Sequence, residues 1–218
     1  MKTRVILIIV GGMCSDALRL CGHDYVKRLL ATSAANVCSK TIPVSDADEI
    51  HNALFKKDTE KSLFDVLSEN EKTFSFFESG FEKKYKKDLE AAESFTAYIK
   101  EEKCDFSLLY LGNVKEAGYE FGFMSEQYLK KVYDAFECIE KIREEFPLRK
   151  LMVMSDHGGH GKEFTGDVPS DNIIPVIMNR VCNFTEKLYS AEIADIAPTI
   201  LKLLSVEKPH FWKGESLL

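Results

Sequence analysis

A carboxylate and an imidazole side by side at the end of an apolar run are the start of a metal site. Such a pair stands in MSDHGGHGKEFTGD, residues 154–167, where the run Lys150–Met154 leads into Asp156-His157. The glycines that follow let the backbone turn tightly. Carboxylate oxygen and imidazole nitrogen suit zinc, manganese and similar divalent ions. His160 and His51, with Asp46 or Asp48, could join His157 in a newly assembled metal site, although exposed loop positions are the simpler reading. Cys14, just beyond Gly11-Gly12, could serve as a nucleophile. No partner base is identifiable for it, so a structural, buried thiol is the simpler reading there too.

The elements that would position these groups can be read from hydrophobic patterning. Val5–Val10 is an uninterrupted β-branched and leucine run closed by two glycines, the pattern of a strand buried on both faces. Asp16–Leu30 has apolar residues at helical spacing, Ser62–Glu69 reads as a short helix and Thr73–Phe77 as a strand. Asp88–Glu102 is a helix with Leu89, Ala92, Phe95 and Ile99 on one face, Phe106–Leu111 a buried strand, and Ser125–Glu145 a long amphipathic helix stopped by Pro147. Lys150–Met154 and Asn172–Met178 read as further strands, Ser190–Leu204 as a helix and the tail as coil. The lysine-rich FEKKYKKD is a solvated helix entry. The repeated alternation of strand and helix predicts an α/β fold, a doubly wound, mostly parallel sheet with helices on both faces. In such sheets a site lies beyond the carboxyl ends of the strands. Gly11, Gly112–Lys115 and Asp156-His157 should therefore converge there.

With 218 residues and no Pro/Gly/Ser-rich linker, the expectation is one domain with one sizeable core. The composition, 45% hydrophobic and 29% charged, is that of an ordinary soluble globular protein. The 29 basic residues against 35 acidic ones leave a net charge of −6, which argues against nucleic acid and anionic lipid as partners. The six cysteines form no CxxC pair, so neither a zinc knuckle nor a disulfide framework is suggested. The apolar start is shorter than a signal-peptide core requires, and no stretch approaches a membrane span, which points to a cytoplasmic protein.

The segments SDHGGHGKEFTGDVPSDNIIPVIM and ADIAPTILKLLSVEKPHFWKGESLL resemble the alkaline phosphatase superfamily, in the branch of type I phosphodiesterases and nucleotide pyrophosphatases. YIKEEKCDFSLLYLGNVKEAGYEFGFMSEQYL is similar to the same branch, and VILIIVGGMCSDAL to its first strand and turn. The resemblance covers nearly all of residues 1–218, with a gap between about Phe55 and Ser62 where the family is usually longer. It implies a single alkaline-phosphatase-like domain of reduced size. It also implies a two-metal site, commonly zinc, in which a Thr or Ser attacks phosphorus.

Carried over residue by residue, the pattern is mostly broken. The first ligand, a strand-ending Asp, falls on Gly11, the next Asp and His fall on Lys115 and Tyr119, and the final His falls on or beside Phe164. Only Asp156 and His157 match ligands, as vestigial members of one metal site. The nucleophile position is Ala47 by an ungapped count, or Thr41 if a gap is allowed. Two ligands fall short of the three protein ligands that a catalytic zinc normally takes. A lysine at position 115 would also repel a cation, and its ammonium is expected to occupy the vacated space and pair with Asp156.

The resemblance thus leads to a non-catalytic homologue acting by binding a small ligand or a protein partner, with no cofactor. The alternative is a degenerate but active phosphoester hydrolase. It would use Thr41 or an activated water on a single zinc or other divalent metal held by Asp156, His157 and a recruited residue. A structural subunit of a larger assembly is a third expectation. The aromatic group Tyr119, Phe121, Phe123 and Tyr128 could line a cleft or pack in the core, and Pro209, Phe211 and Trp212 are expected to pack the tail onto the body.

Overall fold

The computed structural model describes residues 2–40, 61–179 and 186–218. Thr41, Asp46, Ala47, Asp48 and His51, together with most of the Phe55–Ser62 gap, lie outside the described residues.

The first strand, β1 (Val5–Val10), is buried along its whole length. Its side chains alternate between two cores, with Val5, Leu7 and Ile9 in one and Ile6, Ile8 and Val10 in the other. A strand with apolar matter on both faces has no position at which a polar residue is cheap, hence its unbroken apolar sequence. β4 (Phe106–Leu111) is likewise buried throughout and apolar apart from Ser107 and the Tyr110 hydroxyl. With β2 (Ser33–Lys40), β3 (Phe74–Glu78), β5 (Lys150–Met154) and β6 (Ile173–Asn179) these strands form one six-stranded sheet in the order β2-β6-β5-β1-β4-β3. β1 runs parallel to β4 and β5, and β3 parallel to β4, while β6 is antiparallel to both β5 and β2. The sheet is therefore mostly parallel, as the alternation predicted.

Helices cover both faces. On one side pack α1 (Ala17–Leu20), α2 (Asp24–Thr32), α4 (Asp88–Glu102), α5 (Asn113–Phe121) and α6 (Glu126–Glu145), which contribute Leu18, Val26, Phe95, Val114 and Phe136 to that core. The other side is closed by α3 (Leu63–Glu69), by α8 (Ile196–Leu203) and by the tail, through Leu67, Ile200, Trp212 and Leu217. A short α7 (Pro169–Asn172) precedes β6. No helix among the described residues is long and apolar enough to cross a membrane.

Three differences from the sequence reading have local causes. The segment read as one helix over Asp16–Leu30 is split at Gly22, whose φ of +73° leaves the helical region, and α2 restarts with the His23 ring accepting from the Tyr25 amide. Beyond that segment the chain forms β2, Ser33–Lys40, which was not anticipated. Residues 190–204 begin as a 3-10 turn, Ile193–Asp195, before α8.

Candidate functional site

The register of the three central strands sets the site. Ile9 lies beside Tyr110 on one flank and Met154 on the other, so the residues after β1, β4 and β5 must meet. Gly11 donates to Leu111 O at 2.9 Å, and the Gly12 amide donates to Asp156 Oδ1 at 2.9 Å. Tyr128, fully buried on α6, accepts from the Cys14 amide and donates to Gly12 O, both at 2.8 Å. The predicted convergence of Gly11, Gly112–Lys115 and Asp156-His157 is thus realised. A Cβ on Gly12 would stand 3.0 Å from Lys115 Cα.

Asp156 is buried, and three donors inside the protein satisfy it. Oδ1 accepts from the Gly12 and His157 amides, and Oδ2 accepts from the Tyr110 hydroxyl at 2.7 Å. Burial pushes its carboxyl up, but the charges of His157 and Lys115, the Gly12 amide and the Tyr110 hydroxyl outweigh that and hold it below the ordinary range. Tyr110 is displaced the other way, with burial first and the adjacent Asp156 charge next raising its phenol well above normal, so it stays a donor.

The expected Lys115–Asp156 ion pair is not formed. Lys115 Nζ stands over the Tyr110 ring, 5.5 Å from its centroid. The phenol, not the ammonium, has taken Asp156 Oδ2, and Lys115 acts on the carboxylate only through its field.

His157 Nδ1 lies 2.6 Å from Gly158 O, an atom that can only accept, so Nδ1 carries a proton. Nε2 is buried without a hydrogen-bond partner, 3.8 Å from Asp156 Oδ1. Phe164, also buried, packs on this imidazole with ring centroids 4.4 Å apart.

Among the described residues, those at the positions matched to the family's ligands do not fit a dinuclear metal centre. Position 11 offers no carboxylate and no room for one, because a Cβ on Gly11 would lie 2.2 Å from Tyr110 Oη. Lys115 is a cation, the Phe164 ring has no donor, and Tyr119 is 40% exposed with its ring edge-on to Phe123. Among the described residues, the only three His, Cys or carboxylate groups close enough to share an ion are His23, Glu137 and Glu140, none of them a residue of this site. There the His23 ring accepts the Tyr25 amide at Nδ1, which places the proton of the neutral ring on Nε2, where it is given to Glu137 at 3.0 Å. Arg28 holds Glu140, so protons and a guanidinium already serve that cluster.

The remaining candidates separate. His160 turns to the buried Asp171, with Nδ1 2.9 Å from Oδ1, while Oδ2 accepts from the Thr165 and Gly166 amides at 3.0 Å. The Asp171 hydrogen bond raises the pKa of His160. Cys14 is buried, its thiol pushed up by desolvation, which suits packing rather than nucleophilic attack. Phe123 and Tyr128 belong to the core, whereas Tyr119 and Phe121 are exposed. Trp212 packs into the core with the tail, as anticipated.

Sequence reasoning missed Tyr110. The one available signal was a phenol inside an otherwise apolar strand, since a buried tyrosine hydroxyl generally has a partner.

No protein-family model matches the chain. Over 138 residues it is 28% identical to the 2,3-bisphosphoglycerate-independent phosphoglycerate mutase of Mycoplasma mycoides subsp. mycoides, covering 60% of this chain and 25% of that one. Over 142 residues it is 31% identical to the same enzyme of Clostridium acetobutylicum, covering 59% and 26%. The match thus spans about a quarter of the length of these relatives. Among solved structures it superposes on BT1596, a 2-O GAG sulfatase, with a TM-score of 0.71 at 12% identity over 100% of this chain and 73% of the other. It superposes on the lipoteichoic acid synthase LtaP from Listeria monocytogenes with a TM-score of 0.67 at 11% identity, over 99% and 74%. For an alkaline phosphatase superfamily protein from Vibrio parahaemolyticus the TM-score is 0.65 at 13% identity, over 99% and 69%. The fold is alkaline-phosphatase-like.

Proposed function

We propose that this alkaline-phosphatase-like chain is a non-catalytic homologue of metal-dependent phosphodiesterases and nucleotide pyrophosphatases, acting by binding a small ligand or a protein partner. The observation that carries the reading is the state of Asp156. A carboxylate that accepts two amides and a phenol has little left to offer a cation, and its neighbours at positions 11, 115 and 164 are a glycine, a lysine and a phenylalanine. A cleft of about 290 Å³ beside Tyr110 gives a small ligand a place. Its lining carries Lys83 and Lys115 with Glu78, Glu82 and Glu116, and Lys83 is paired with Glu78 at 3.1 Å, a charge balance that does not suit a polyanion.

A second reading, a degenerate hydrolase working on one metal at Asp156 and His157, draws support from the buried His157 Nε2, which has no hydrogen-bond partner among the described residues and lies 3.8 Å from Asp156 Oδ1. One assay separates the two: turnover of bis-p-nitrophenyl phosphate and p-nitrophenyl phosphate with zinc, manganese or magnesium, compared with Asp156→Ala. The expected result is no metal-dependent turnover above the variant. Turnover abolished by Asp156→Ala would establish the second reading.

A further inference from the structure

The atoms around Gly11 explain more than the loss of one ligand. This glycine does not have a positive φ, so an L-residue suits its backbone, yet the three nearest atoms a Cβ would meet all belong to the Tyr110 phenol: Oη at 2.2 Å, Cζ at 2.6 Å and Cε1 at 3.1 Å. Contacts under 3 Å cannot be kept, and the phenol cannot swing aside, because it is buried and its hydroxyl is committed to Asp156 Oδ2. Conversely, without Tyr110 the carboxylate would lose its only donor at Oδ2 among the described residues, in a desolvated place.

We propose that Gly11 and Tyr110 are a matched pair. The phenol occupies the volume that a side chain at position 11 would need and delivers to Asp156 the positive end of a dipole, so that neither residue can change alone. The pair closes the junction of β1, β4 and β5 to divalent cations, and exchanging both residues together reopens it. The inference rests on the non-catalytic reading above and names the residues that enforce it. In a chain carrying Gly11→Asp with Tyr110→Ala, the groups at positions 11, 156 and 157 would supply three protein ligands, the number that a zinc site with an open position uses.

Two measurements test this. The first is a cycle of thermal unfolding midpoints for the wild type, Gly11→Ala, Tyr110→Ala and the double variant. Gly11→Ala alone is expected to lower the midpoint by about 5 °C through overpacking, and to change it by under about 1 °C once the phenol is gone. Tyr110→Leu, which keeps apolar volume but ends short of the phenol oxygen, runs the same cycle should the alanine variant be too unstable. The second is calorimetric titration with zinc. Gly11→Asp/Tyr110→Ala is expected to bind one equivalent with a dissociation constant on the order of micromolar, lost on adding His157→Ala, while the wild type and Tyr110→Ala show no binding. Equal costs of Gly11→Ala in both backgrounds, with a metal-blind wild type, would overturn the pairing and leave the non-catalytic reading standing. Wild-type zinc binding abolished by Asp156→Ala would overturn both.

Discussion

Asp156 shares its two oxygens between the Gly12 and His157 amides and the Tyr110 phenol. Tyr110→Phe removes only the oxygen and strands Asp156 Oδ2 without a donor, which should cost about 2 kcal/mol, measured by denaturant unfolding. A second buried carboxylate behaves differently. Asp88 is held by Ser79 Oγ and the Asn113 amide, but burial dominates and raises its pKa from the ordinary 3.8 to about 6. The folded state therefore takes up this proton at a higher pH than the unfolded chain does. The contribution is fully present below pH 3.8 and is lost as pH rises through about 6. Unfolding midpoints followed across that window should show this downward slope flattened in Asp88→Asn. His160 also has a raised pKa, from its Asp171 hydrogen bond, and its ring proton resonances should titrate above 6.5 in the folded protein and return toward that value in Asp171→Asn. The Asp156-His157 pair was legible because strand-end acid and imidazole beside glycines form a recognisable pattern. Tyr110 was not, because its partner stands 46 positions away and only the strand register brings the two together.

Helices and strands with a single dominant signal were readable. β1 is an unbroken apolar run, β4 and β5 are mostly apolar, and α3 announces itself by Ser62 and Asp65, which form a capping box. Ser62→Ala should cost about 1 kcal/mol, read from the chemical unfolding midpoint. β2 was hidden because SAANVCSK has neither alternation nor an apolar run, and it is fixed by pairing with β6 rather than by its own composition. α5 went unread because its nine residues include Gly118 and follow a glycine. That glycine is required, since a Cβ there would stand 2.7 Å from the Phe123 ring. The loop after β5 is tighter still. A Cβ on Gly158 would lie 1.9 Å from Ser170 O, a backbone atom that cannot rotate away. Gly158→Ala is accordingly expected to lower the unfolding midpoint more than Gly118→Ala, where the obstacle is a side chain.

For the molecule as a whole, the α/β class and the convergence of the β1, β4 and β5 carboxyl ends followed from alternation alone, because a strand buried on both faces requires helices above and below it. What alternation could not supply was the sense of β6, which runs against its sheet neighbours, or the identity of the groups that fill the junction beyond the strands. On the proposed reading, a junction filled by the Tyr110 phenol and by the Phe164 ring tilted on His157 leaves the fold independent of metal. Extended dialysis against a chelator, followed by removal of the chelator, should leave the thermal midpoint unchanged within error, whereas a protein relying on a bound divalent ion would lose several degrees.

The pairing of β2 with β6 has a consequence for how the chain comes to be made. Ser33 must find Asn179, and Lys40 must find Ala191, so the β2 segment emerges from the ribosome long before the residues it pairs with have been translated. Until then its amides are exposed to water or to chaperones, and the final zipping of that margin awaits the last third of synthesis. Nascent chains stalled before Ile173 should be more sensitive to protease at Ser33–Lys40 than chains released after Asn179.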